Sequence, residues 1–244
     1  MRTMLLVFAF AFGLAPGAHA AAKTSAYVYD MRVQVKGGAT LDGRYPAADD
    51  PANARPDDAI ENHYKASYSI DGRLRGVTLA TGPIRGLPAR GGTTGKAVVN
   101  GTWSNAGSKW VDPANGVSGP FQCGGGVRPG APSGTTVVAY RRQAGAKHTF
   151  TLDVLAQELT DSGSCEGVNG AERGLIFANA DAYVVKFSVS KRELGRKTIV
   201  KPISGPSSAF HWRAYDFTSG TFSLAWQGTV RFTRTHTMRL PRAR

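Results

Sequence analysis

The 244-residue chain is poor in metal-binding residue types: it has two cysteines, Cys123 and Cys165, and five histidines, none at ligand spacing from another. Zinc motifs need clustered Cys or His, so none is expected, and no other metal or cofactor is implied. Acids are scarce too, with 17 Asp plus Glu against 30 Lys plus Arg. The one acid-rich stretch, Asp49 to Glu61, lacks the D-x-D-x-D-G spacing of a calcium loop and reads as solvated loop. No apolar run reaches the roughly 20 residues of a membrane-crossing helix. Sustained helical spacing, a heptad pattern and internal repeats are all absent, which removes bundles, coiled coils and solenoids.

Enzyme signatures are missing as well. There is no G-x-S-x-G, and no E-x-E or E-x-D-x-E that would aim two carboxylates from one strand into a sugar cleft. Asp30, Asp153 and Asp181 each stand alone on their strands, although acids from separate strands could still converge. Gly91-Gly92-Thr93-Thr94-Gly95-Lys96 imitates a phosphate loop, but Arg90 occupies the first glycine position and Ala97 replaces the magnesium-binding hydroxyl. It reads as a glycine-rich hairpin connection. Gly163-Ser164-Cys165-Glu166-Gly167 imitates a nucleophile elbow, yet loop chemistry lies on both sides of it.

What is present begins with an export leader. Arg2 is followed by the uncharged run Met4 to Leu14, the breakers Pro16-Gly17 and the small-x-small triplet Ala18-His19-Ala20. That pattern predicts a signal peptide over residues 1–20 and one domain from 21 to 244, placed in the periplasm, on the envelope exterior or outside the cell. In an oxidising compartment the even pair Cys123 and Cys165 reads as one disulfide.

Period-two alternation dominates the rest. Tyr27, Tyr29, Met31, Val33 and Val35 alternate with polar residues, as do Tyr64, Ala66, Tyr68 and Ile70. Tyr183, Val185, Phe187 and Val189 repeat the pattern, and so do Phe222, Leu224, Trp226, Gly228, Val230 and Phe232. The fold class is therefore all-β: an antiparallel β-sandwich of about ten strands, with a closed barrel as second choice. Three-residue turns are expected at Thr218–Gly220, pairing Trp212 with Trp226 and Phe210 with Gly228, and at Gln143–Gly145, pairing Tyr140 with His148 and Val138 with Phe150. His148 is then a hydrogen-bonded core or rim residue. Ala47–Asn62, Thr81–Gly95 and Lys109–Ser133 are expected to be long loops.

Charge gives the functional lean. From Lys186 onward twelve basic residues face only Glu193 and Asp216, a net of +10 out of +13 for the whole chain. An exported protein with a basic end suits an anionic envelope or extracellular polymer, such as an anionic glycan, rather than nucleic acid. The candidate binding residues are His211, Arg213, Tyr215 and Arg231 on the last hairpin, with Lys191, Arg192, Arg196 and Lys197 around a nearby turn. A non-catalytic binding protein is the leading expectation. A carbohydrate-active enzyme using acids from separate strands, or an envelope assembly protein, stands beside it.

Overall fold

The computed structural model describes residues 24–46, 59–84, 86–110, 118–129, 136–154, 159–167, 183–205 and 219–240. The proposed leader, most of the acid-rich loop, Asp181, and the segment carrying Phe210, His211, Trp212, Arg213 and Tyr215 lie outside them.

The alternating segments form the expected strands. In chain order these are β1 (Thr24–Pro46), β2 (Ala59–Ala80), β3 (Arg90–Trp110), β4 (Gly119–Pro129) and β5 (Thr136–Ala144). Then follow β6 (Lys147–Asp153), β7 (Leu159–Gly167), β8 (Val184–Val189), β9 (Thr198–Ser204) and β10 (Ser219–Leu240). All the pairings are antiparallel, and the sheet runs β8-β6-β5-β3-β2-β1-β10-β9. Strand β3 pairs with β5 through Arg90–Lys96 and with β4 through Thr102–Lys109, so β4 and β7 branch off one end.

One face of this sheet is apolar, and the sheet buries it by folding over on itself. Phe150 of β6 lies 5.5 Å from Phe232 of β10, although four strands separate β6 from β10 along the hydrogen-bonded path. Tyr183 stacks on Trp226 at 6.1 Å and donates a 3.0 Å hydrogen bond to the Tyr68 hydroxyl, both groups buried. Burial pushes both phenols well above the ordinary tyrosine pKa, so each stays protonated. The architecture is the expected all-antiparallel β fold, and the packing across its layers is that of a sandwich. Strands β8 and β9, at the ends of the path, share no ladder. They flank a cleft of about 630 Å³ lined by Val184, Lys186, Pro202 and Ser204 among others.

Close packing dictates one glycine. Gly37 pairs with Trp226 on one side and Tyr68 on the other, and a Cβ there would meet both side chains within 2.6 Å. Gly37→Val should therefore cost about 1–3 kcal/mol by overpacking, read as a lower urea midpoint. An unchanged midpoint would mean the aromatic layer is loose at this rung.

Several sequence expectations are corrected. The β5–β6 turn has two residues, Gly145-Ala146, with positive φ at Gly145 (+60°) alone, the type II′ pattern. Gln143 therefore faces His148 and Arg141 faces Phe150, while Tyr140 points out. The expected pairs, Tyr140 with His148 and Val138 with Phe150, do not form. A one-residue slip exchanges the two faces of a strand, and here it turns Arg141 inward. On β10, Gly228 lies between Val35 of β1 and Ile203 of β9, which fill both of its backbone edges, while Phe210, its expected partner, is outside the described residues. The glycine-rich stretch Arg90–Lys96 is strand rather than hairpin connection, because β5 supplies backbone partners along its whole length and β2 joins on the other side at Lys96. Gly119–Pro129 is likewise strand β4, held between β3 and β7.

Arg141 is tolerated inside because its guanidinium is satisfied. It donates to Pro88 O at 2.6 Å, Gln143 Oε1 at 3.1 Å and His148 Nδ1 at 3.3 Å. His148, fully buried, then carries its proton on Nε2 and donates to Ala80 O at 2.9 Å. This is the hydrogen-bonded core histidine that the sequence implies. Desolvation, with Arg141 adding to it, lowers its pKa to about 4. The unfolded chain therefore binds a proton more readily than the native state between about pH 6.5 and 4. Stability is full above that window and falls as pH drops through it, by up to about 1.4 kcal/mol per pH unit. His148→Gln should remove this limb from a pH series of urea melts. The same slope in the variant would show that another group titrates there.

Candidate functional site

Four of the predicted binding residues, Lys191, Arg192, Arg196 and Lys197, share the turn between β8 and β9, as their spacing suggests. The turn is rigidly built. Glu193 accepts from Ser190 N at 2.9 Å and Ser190 Oγ at 2.8 Å, and it pairs with Lys201 at 2.5 Å. Burial would raise the Glu193 carboxyl, but the Lys201 and Ser190 hydrogen bonds outweigh it and hold the pKa below the usual range. Tyr29 receives Gly195 N–H and donates to Arg196 O, both at 3.2 Å, and Arg234 packs 5.8 Å from the Tyr27 ring centre. The four cations are thereby held out in solvent on one short loop. Arg231 is elsewhere, on the outer face of β10 opposite Val200. His211, Arg213 and Tyr215 are among the residues outside the structure's description.

Register reveals a second basic feature that linear sequence hides. Arg231 of β10 pairs with Arg32 of β1, Arg32 with Arg73 of β2, and Arg73 with Lys96 of β3. Four cations from four adjacent strands thus stand in one rung, all exposed on the outer face. At roughly 4.8 Å between strands the row is about 14 Å long. Like charges directly opposite each other destabilise a sheet, so the row is a local cost. One acid moderates it: Asp71 receives Arg32 Nε at 2.9 Å and Nη2 at 2.5 Å in a two-pronged fork. That hydrogen bond holds the Asp71 carboxyl below the ordinary range and fixes the Arg32 guanidinium.

The row borders a shallow depression of about 700 Å³ whose lining includes Arg73, Arg75, Lys96, Thr94, Val98 and Asn100. A second, of about 490 Å³, lies beside it and includes Lys36, Ser69, Asn100 and Thr229. Both are open, floored by strand backbone, and edged by cations and small hydroxyl or amide groups. Such a surface can hold an extended chain carrying negative groups. Three acids are tied to basic groups: Asp71 to Arg32, Asp42 to His63 at 2.8 Å, and Glu193 to Lys201. Among the described residues no three His, Cys, Asp or Glu gather into a metal-binding group.

Of the row, only Arg231 was in the sequence-based candidate set. Arg32, Arg73 and Lys96 lie in segments of near-neutral composition, and the missing signal was strand register, which a correct β1–β2–β3 alignment would have supplied. Lys96→Thr should leave a Thr–Thr pair with Thr136 and relieve Arg73, raising stability in low salt by a few tenths of a kcal/mol. A lower urea midpoint for this variant would mean that the four cations do not repel.

No family model matches the chain, and no curated protein matches it. Among solved structures it aligns with the secretin InvG of the Salmonella SPI-1 type III secretion injectisome, at 12% identity and a TM-score of 0.15. That alignment covers 89% of this chain and 64% of that one. InvG in the Salmonella SPI-1 basal-body model with PrgH and PrgK aligns equally weakly, at 12% identity and TM-score 0.15, over 89% of this chain and 45% of that one. The chain thus spans less than two thirds of either, and similarity at this level carries no inference about function.

Proposed function

We propose that this protein is an exported, non-catalytic binding module whose outer sheet face takes an anionic polymer of the envelope or the extracellular space. The supporting observation is the cross-strand row Arg231–Arg32–Arg73–Lys96. It lines up positive charge at a spacing that a flexible polyanion can follow, and its electrostatic cost to the fold is offset once an anion binds. The turn cations Lys191, Arg192, Arg196 and Lys197 extend the field at one end and raise the rate of encounter.

Export fits the leader pattern of residues 1–20 and the cysteine pair. Cys123 is buried, stands directly opposite Cys165 in the β4–β7 register, and no described cysteine is free. A disulfide there staples the branch formed by β4 and β7. Mass spectrometry of the exported protein should find it two hydrogens lighter than the reduced chain. Reduction should lower stability by about 4 kcal/mol, the chain-entropy value for a loop of this length. Two alkylatable thiols in the native protein would remove the bond from the account.

Binding is tested with polygalacturonate and with inorganic polyphosphate at several salt concentrations. Wild-type affinity should fall steeply with salt, since exposed charges act over a Debye length of about 10 Å at 0.1 M. The triple variant Arg73→Thr, Lys96→Thr, Arg231→Thr should bind at least tenfold more weakly and with a flatter salt dependence. Neutralising the four turn cations should cost less. If the turn variant loses binding and the row variant does not, the row is not the docking surface. If neither polymer binds to wild type, the functional reading fails.

A further inference from the structure

The row does not end in featureless surface. On β5, one strand beyond Lys96, Tyr140 lies on the same outer face and is 58% exposed. It pairs with Gly92 of β3, and a Cβ at that glycine would touch the ring's Cδ1 and Cε1 at 3.6 Å. The ring therefore rests on bare backbone with its other side toward solvent. Two residues further along β5, Arg142 stands directly opposite Arg90 of β3, a second like-charged cross-strand pair, and both are exposed. Thr151 of β6 lies beside Tyr140 and Lys186 of β8 beside Thr151, in the same rung. Thr94, on the outer face of β3 between Lys96 and Gly92, joins this group to the row through the 700 Å³ depression. Lys96 and Gly92 are about 13 Å apart at roughly 3.3 Å per residue.

We infer that the bound polymer is an acidic polysaccharide, with one sugar ring seated on Tyr140 and its acid groups on the flanking Arg90–Arg142 pair and the cation row. This deepens the proposed function and rests on it. The chemistry separates three kinds of polyanion. A ringless one such as polyphosphate uses the cations but gains nothing from an exposed aromatic face. A single-stranded nucleic acid stacks successive bases on successive aromatic side chains, whereas this track offers one ring followed by threonines. A sugar unit has an apolar C–H face that packs on one phenol ring and hydroxyls that Thr94 and Thr151 can meet. Carboxylate or sulfate groups on neighbouring units then find guanidinium forks.

The structural role of Tyr140, covering Gly92, is separable from stacking by the choice of substitution. Tyr140→Leu keeps an apolar cover without a flat face, and Tyr140→Phe keeps the face. Wild type and both variants are titrated with polygalacturonate, inorganic polyphosphate and oligodeoxythymidine, with a thermal melt of each variant. Tyr140→Leu should weaken polygalacturonate about tenfold and leave polyphosphate unchanged, while Tyr140→Phe stays near wild type for both. Equal losses for both polymers, or no loss for Tyr140→Leu, overturn the inference while leaving the cation row in place. Oligodeoxythymidine binding that exceeds polygalacturonate and depends on Tyr140 overturns it in favour of nucleic acid. If wild type binds no polymer at all, the failure lies in the proposed function itself.

Discussion

The constraint on which the rest depends is that one continuous antiparallel sheet has a single apolar face and must hide it from water without help from another element. The chain does so with side chains large enough to reach across the folded sheet. Phe150 meets Phe232, Phe187 stacks on Phe150, and Tyr183 bridges Tyr68 and Trp226. Each aromatic buried this way removes on the order of 150–250 Å² from solvent, which is why a few of them can hold two layers together. Gly37 follows from the same demand, since the rung between Tyr68 and Trp226 has room for no side chain. With the apolar work done inside, the outer face is released from packing and can carry charge.

Strand identity was legible wherever this demand writes a strict alternation. Tyr29 to Val35, Tyr64 to Ile70, and Leu224 to Phe232 are assigned correctly by parity, because apolar residues there have only one face to occupy. Legibility failed where the demand is met by something other than an apolar side chain. Arg141 looks like a surface residue and is buried, because Pro88 O, Gln143 and His148 replace the water its guanidinium loses. Polarity alone therefore put the β5–β6 turn one residue out of place. Glycine runs failed for the opposite reason. Gly91, Gly92 and Gly95 lie in β3, paired with β5, and Gly124 to Gly126 lie in β4 between β3 and β7, so ladder partners rather than side-chain bulk hold these stretches as strand.

The charged surface was legible only in part, and for a topological reason. Counting along the chain finds the cations that are near in sequence, which is how the β8–β9 turn emerged. The row is assembled from positions 32, 73, 96 and 231, and neighbouring strands in the sheet bring them within one rung of each other. No composition window contains more than one of them with its partners. Sheet register, rather than net charge, is the variable that decides whether separate basic residues act as one surface.

That distinction bears on why the row lies where it does. A sheet that only needed solubility could scatter its lysines and arginines among acids, gaining a little from each opposite-sign pair. Here four cations are set directly across from one another in the middle of the sheet, and Asp71 beside them holds one guanidinium still rather than neutralising the set. Arg90 and Arg142 repeat the arrangement across β3 and β5, two residues beyond a glycine against which an exposed tyrosine ring lies. Repulsion that recurs in register, beside hydroxyls and one exposed aromatic face, is the charge distribution that a bound acidic polymer would neutralise. In the free protein the like-charged cross-strand pairs subtract from stability, the Arg32–Asp71 fork apart, so in this reading their placement belongs to the complex.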